Sequence, residues 1–360
     1  MKDKTLSFMG FVPGRPLPRW YRVVAWILSH FYYSAITFVN KNGQKIPALD
    51  GSTPTLLLVS HRNGGSDGWV VSQLLPHAQF LASVQLLRSR FLRLLFTGIP
   101  VVRDKDRQRY GFTRSQAGNP ILHAIAHLTQ GGSLAVFPEG TSEWSFKPQP
   151  YQAGAAKIIR RLLQDNADFQ VIVAGSFYQC PDRFGSFVEL LVSEPLALPL
   201  QNSTSNAEWD DAIQQCVAQA LNAVSVNCAD EQSFIHAERE AALCYQNDES
   251  YALAFKRAEA GTPSTLTELK AKTQSWYYPL VYAAFVMTLL PILGVAWWAG
   301  RYADGRNSVT FFRLAAGFAV AWVWIPCLIL LACIYPWLLA LYLLAIVGWK
   351  LHGSEIRKTI

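Results

Sequence analysis

The sequence predicts an α/β domain: a mostly parallel central sheet flanked by helices, then a helical appendage and C-terminal transmembrane helices. Three observations carry this. Apolar, β-branched runs alternate with helix-length segments between Thr55 and Val192, the pattern of parallel strands joined by helices. Amphipathic helical spacing follows from Ala207. Near the end, Thr273–Gly300 and Leu314–Trp349 contain no charged residue.

The elements are taken in order. Lys2 and Lys4 precede a Pro/Gly-rich stretch, not the apolar core of a signal peptide. Trp20–Val39 reads as a membrane-dipping or interfacial helix, with Trp20, Arg15, Arg19 and Arg22 near the headgroups. Its alternative is a buried helix of the globular domain. Strands are expected at Thr55–Ser60, Gln79–Val84, Ile99–Val102, Ser133–Phe137, Val171–Tyr178 and Ser186–Val192, each bounded by Gly, Pro or polar residues. Helices are expected at Gly68–Leu75, Gln85–Phe96, Pro120–Thr129 and Ala153–Gln164. Beyond the polar break at Asn202–Ser205, Trp209, Ile213, Val217, Leu221 and Val224 recur at helical spacing. More helix runs from Asp230 to Ala260, and Gly261-Thr262-Pro263 stops it.

Leu314–Trp349 as one straight helix would run about 54 Å, too long for a hydrocarbon core of about 30 Å. It therefore doubles back, with Pro336 the natural place, or runs partly along the interface; two or three spans fit. The division expected is a membrane-associated helix (1–40), a catalytic domain (41–200), a helical appendage (201–275) and transmembrane helices (276–360).

Composition narrows the function classes. Net charge is +7, yet charged residues are only 16% of the chain. No nucleic-acid motif accompanies the positive charge, so an anionic membrane surface or an anionic substrate is the expected partner. The six cysteines form no Cys-x-x-Cys pair, and no His stands at zinc-finger spacing. That predicts neither a disulfide framework nor a metal site, and a reducing compartment for the soluble part. A transporter reading rests on the apolar tail alone, which has no intramembrane charge to mark a pathway.

Two motifs sit at strand ends, where ligands collect in parallel sheets. His61-Arg62-Asn63-Gly64-Gly65-Ser66-Asp67 offers a histidine and, past two glycines, a carboxylate. A carboxylate on one ring nitrogen fixes the tautomer and frees the other as a proton acceptor. The bland reading is a strand–turn–helix with Asp67 as helix cap. Phe137-Pro138-Glu139-Gly140-Thr141-Ser142 offers backbone N–H groups and the Thr141 hydroxyl to phosphate or hydroxyl oxygens. Gly140 lets the backbone approach a ligand, and Glu139 holds either the turn or the substrate. Between them, Gly98-Ile99-Pro100-Val101-Val102-Arg103 ends on an arginine whose planar fork suits a phosphate.

Together these residues resemble the glycerolipid acyltransferase superfamily, which includes bacterial lysophosphatidate acyltransferases. That family carries a His-x4-Asp motif, an arginine motif and Phe-Pro-Glu-Gly-Thr-Arg/Ser; here the order is His61…Asp67, Gly98–Arg103 and Phe137–Ser142. There are two departures. Five residues, not four, separate His61 from Asp67, and Val171–Tyr178 stands where a proline-containing fourth motif is usual. The longer gap is similar to the branch typified by fungal glycerol-3-phosphate/dihydroxyacetone-phosphate acyltransferases.

The resemblance implies the glycerolipid acyltransferase fold. It implies acyl transfer from acyl-CoA or an acyl-carrier protein to a glycerol-3-phosphate-type acceptor in phospholipid biosynthesis, without metal or cofactor. His61 and Asp67 would be catalytic; Arg103, Glu139, Gly140 and Thr141 would bind substrate. The bilayer would be the partner surface, with the catalytic domain on the cytoplasmic face. The rival readings are a lysophosphatidate or other lysophospholipid acyltransferase, and an inactive lipid-binding membrane scaffold.

Overall fold

The computed structural model describes residues 11–102, 119–201, 205–262 and 275–358. Its first half holds α1 (Arg19–Tyr32), β1 (Ala35–Val39), β2 (Thr55–Val59), α2 (Gly65–Leu74), β3 (Gln79–Ser83), α3 (Val84–Arg88), α4 (Leu92–Leu95), β4 (Ile99–Val101), α5 (Pro120–Thr129), β5 (Leu134–Val136) and α6 (Gly154–Gln164). The second holds β6 (Gln170–Tyr178), β7 (Phe187–Val192), α7 (Asn206–Val224), α8 (Glu231–Gln246), α9 (Tyr251–Glu259), α10 (Tyr278–Gly300), α11 (Arg306–Ile334) and α12 (Leu338–Lys358).

Seven strands form one sheet in the order β1-β7-β6-β2-β5-β3-β4. Every pairing is parallel except β6 with β7. A short loop joins β6 to β7, which allows only an antiparallel neighbour; parallel neighbours need a longer crossover. The predicted fold class is therefore the one observed.

The β2 strand is central, and all five of its residues are buried. Its side chains alternate between faces. Leu57 and Val59 join a core with α1 and α2, including Tyr21, Leu28 and Trp69. Leu56 and Leu58 join the opposite core with α5, α6 and α7, including Leu128, Ile159 and Ile213. Covering on both faces explains why Thr55–Val59 reads as a continuous apolar run and not an alternating one. A third core lies where β7 meets α8 and α9.

The expected N-terminal helix is shorter than the apolar run. It stops at Tyr32, and Ala35–Val39 instead pairs with β7 as an edge strand. Helix α1 turns Tyr21, Ala25 and Leu28 inward and leaves Trp20, Val23, Trp26 and Ile27 exposed. The predicted Gln85–Phe96 helix is two short ones, α3 and α4, interrupted at Ser89–Phe91.

The apolar tail doubles back at Tyr335-Pro336-Trp337, between α11 and α12. Helices α10 and α11 are long and apolar enough to cross a membrane, and only 22% and 6% of their most apolar stretches are buried. They are therefore not core helices of the α/β domain. The charged break between them docks on that domain: Arg306 Nε donates to Asp182 Oδ1 at 2.9 Å.

Candidate active site

Parallel pairing aligns Leu58 of β2 with Val136 of β5. The residues leaving the two strands are then side by side: His61 on one, Phe137 and Glu139 on the other. The His61 ring stacks on Phe137 at 4.3 Å between centroids.

The chain leaves β2 through Gly64, whose φ of +56° is a conformation that side-chain-bearing residues rarely adopt. That turn starts α2 at Gly65 and sends Asp67, in its first turn, back toward His61. His61 Nδ1 lies 2.8 Å from Asp67 Oδ2. Asp67 is fully buried and His61 is 18% exposed by side chain. The Asn63 N–H donates to Asp67 Oδ2 at 2.8 Å and the Tyr178 hydroxyl donates to Oδ1 at 2.5 Å. Donors on both oxygens favour the ionised, acceptor-only carboxylate. The Nδ1 contact then requires the proton on Nδ1, which leaves Nε2 as the free lone pair. Among the described residues no partner takes Nε2. The helix cap is Gly64, with no side chain capping it, so Asp67 stands in the first turn as the partner of His61 and not as the cap.

Tyr178 ends β6 and is buried, as is Tyr33, which accepts from Asn63 Nδ2 at 2.7 Å. Burial first, and the Asp67 charge second, push the Tyr178 phenol well above its ordinary range. It therefore stays a neutral donor to Asp67.

Glu139 is 4% exposed. Its Oε1 accepts the His61 N–H at 2.7 Å and its Oε2 accepts the Gln149 N–H at 2.9 Å. Burial raises its pKa; those two N–H groups, His61 and Arg62 pull in the other direction. Both oxygens are committed to backbone. The geometry gives Glu139 the turn-holding part, fixing the His61 backbone to the opposite loop. Gly140, at φ +67°, and Thr141 are exposed beside it. Arg103 lies outside the described residues.

Other residues complete the corner. Arg62 is buried, donates to the Ser145 carbonyl at 2.8 Å and stacks over Trp144 at 4.4 Å and Phe234 at 5.5 Å. It joins the first motif to the segment after the third and to α8. Burial lowers its pKa, opposed by Glu139, Glu238 and Asp67. Glu238 of α8 is pushed up to about 7 by burial, against the pull of Arg306 and Arg62.

The first turn of α11 also reaches the site. Asn307 Nδ2 donates to the Ser142 carbonyl at 2.8 Å and to its Oγ at 2.9 Å. A Cβ at Gly64 would meet the Asn307 carbonyl at 2.8 Å, and one at Gly65 would meet Phe96 at 2.8 Å. The two glycines thus serve close approach as well as turning. Sequence reasoning missed Asn307, Tyr33 and the part played by Tyr178; nothing local marks them, since their partners are remote in the chain. Among the described residues, no group of three or more His, Cys, Asp or Glu side chains is placed to hold a metal.

Compared with solved structures, the chain is similar to the 1-acyl-sn-glycerophosphate (LPA) acyltransferase PlsC from Thermotoga maritima. Identity is 15% and the TM-score 0.33, over 61% of this chain and 86% of that one. At those values the likeness carries no weight for activity. No family model matches the chain, and no curated protein matches it.

Proposed function

We propose that this protein is a membrane-bound glycerolipid acyltransferase that moves a fatty acyl group from a thioester to a glycerol hydroxyl. The observation that carries the reading is the 2.8 Å His61–Asp67 contact at the carboxyl end of the central strands. A decayed scaffold site has no need of a buried carboxylate held by three donors, so the geometry favours a working enzyme. The motif order, which resembles the acyltransferase superfamily, supplies the reaction class. The two apolar helices support a bilayer location, and a cytoplasmic face for the α/β domain is part of the proposal.

The chemistry is direct transfer. His61 Nε2 takes the proton from the acceptor hydroxyl as its oxygen attacks the thioester carbonyl. The tetrahedral intermediate collapses, the C–S bond breaks, and the departing thiolate takes the proton from the imidazolium. Asp67 orients the ring and stabilises its charged form; a positioned base of this kind contributes about 10²–10⁴-fold. Exposed backbone at Gly140 and the Thr141 hydroxyl are proposed to hold acceptor oxygens, with Arg103 as phosphate anchor. Glu139 is proposed to hold the two loops together and not to touch substrate.

The five-residue His–Asp spacing, similar to the fungal-type branch, favours a glycerol-3-phosphate-type acceptor. The test is a purified-protein assay of one labelled acyl-CoA, and of the same chain on acyl-carrier protein, against glycerol-3-phosphate, dihydroxyacetone phosphate, lysophosphatidate and other lysophospholipids. Preference for glycerol-3-phosphate or dihydroxyacetone phosphate supports this reading, and preference for a lysolipid moves the protein to the second-step class. Arg103→Ala should raise the acceptor KM about tenfold or more; an unchanged KM removes Arg103 from the site.

A further inference from the structure

A cavity of about 410 Å³ lies outside the sheet, walled by α1, α10 and α11 with Phe184 of the β6–β7 loop. Its size is within the usual range for ligand pockets. The walls are apolar, among them Leu28 and Phe31 of α1, Leu289 and Ile292 of α10, and Gly317 and Phe318 of α11. Arg313 is the one charged residue lining it. One Arg313 Nη donates to the Asp182 carbonyl, while its buried Nε has no hydrogen-bond partner among the described residues.

Helix α11 connects this cavity to the active-site corner. Asn307 in its first turn holds Ser142, and Phe311 one turn later packs against Phe96, beside Gly65. From Leu314 to Ile325 the same helix lines the cavity. At a rise of about 1.5 Å per residue that stretch is about 16 Å long. A cavity of this volume drawn out along a helix is a slot for something narrow. Its apolar wall and single cation, placed at the end nearer the site, select a linear hydrocarbon chain with an electron-rich head.

We propose that the α1–α10–α11 cavity holds one linear fatty-acyl chain, its polar end at Arg313 and its tail running along α11 away from the His61 corner. This rests on the acyltransferase reading for its link to catalysis, but the occupancy itself does not. The chain comes from the acyl thioester or from a bilayer phospholipid. If it is the reacting chain, α11 measures its length, because filling the slot midway shortens the space for the tail.

The experiment uses the full chain in phosphatidylcholine nanodiscs. One arm adds a long-chain acyl-CoA with a diazirine near its tail; the other carries a phospholipid with the same diazirine. After irradiation, labelled peptides are mapped. Gly317 is the place to fill the slot, since a Cβ there meets Ala296 and Ile292 at 3.5 Å, ordinary contact distance. Gly317→Leu and Ala321→Leu are both made, so that one poorly folded variant does not decide the matter.

The expected result is label on 314–325, reduced at least fivefold in both variants, with label at the outward-facing Leu330 unchanged. Label from acyl-CoA identifies the donor chain, and label from phospholipid alone identifies a structural lipid; either supports the site. Absence of 314–325 label in both arms, or equal loss at Leu330, overturns it. Turnover read in parallel separates the two ideas. Label without any acyl transfer keeps the cavity and sinks the acyltransferase reading. Transfer without label keeps the enzyme and sinks the cavity. When the acyl-CoA arm labels, the ratio of long-chain to short-chain turnover should also fall about tenfold in Gly317→Leu.

Discussion

The His61 corner and the α1–α10–α11 cavity lie along the same helix and are built on opposite plans. In the corner, both carboxylates are fully engaged: Asp67 accepts from three groups and Glu139 from two. In the cavity, Arg313 alone is charged and the walls are hydrocarbon. The contrast shows how rigidity and tolerance are divided. A hydrogen-bonded corner fixes one geometry, because each unmet buried partner costs about 1–3 kcal/mol. An apolar cavity sets volume and lets a flexible chain settle within it.

The largest effect should come from breaking the corner at Asp67. Asp67→Asn keeps the shape but presents an amide that no longer enforces the reactive tautomer. The expected loss in kcat is about 10³–10⁴-fold, with circular dichroism and membrane insertion unchanged. A loss below tenfold would show that the carboxylate does not orient His61.

Next is the brace. Glu139→Ala leaves the part-buried His61 and Gln149 N–H groups without their acceptors. Stability should drop by about 2–4 kcal/mol, read by denaturant unfolding of the purified protein, and activity should fall with it. Undiminished stability together with a raised acceptor KM would return Glu139 to the role of substrate ligand.

A pH experiment tests the wall around Arg62. Glu238 has an ordinary value of 4.5 and is held at about 7 in the folded protein. The folded state therefore binds more protons than the unfolded between those values. Its contribution is present in full below about pH 4.5 and is lost as pH rises through about 7, by about 3 kcal/mol at most. Glu238→Gln should flatten that part of the stability–pH curve. A variant curve parallel to the wild type would mean that Glu238 titrates normally.

The smallest effect sharpens the link between the two regions. Asn307→Ala removes two hydrogen bonds to Ser142, worth about 1 kcal/mol each at the site loop. The acceptor KM should rise a few-fold with little change in kcat. An unchanged KM would make the contact a packing detail of α11.

The sheet was legible in sequence because its central strands are buried on both faces, which leaves unbroken apolar runs between turn residues. The six predicted strands match β2 to β7 to within a residue or two at each end. Strand β1 was hidden for the opposite reason: it continues the apolar run of α1, and an edge strand of intermediate burial leaves no alternation to read. The His61–Asp67 pair was legible because strand, two glycines and carboxylate are contiguous. The bonds from Tyr178 to Asp67 and from Asn307 to Ser142 were not, because each joins segments more than a hundred residues apart. Only the fold brings them together.

The most direct test is acyl transfer from labelled acyl-CoA to glycerol-3-phosphate and to lysophosphatidate by the purified wild type beside His61→Ala. The proposed mechanism predicts labelled lipid from the wild type and a loss of at least a thousandfold in the variant, with both proteins equally folded. Equal turnover by the two would contradict it.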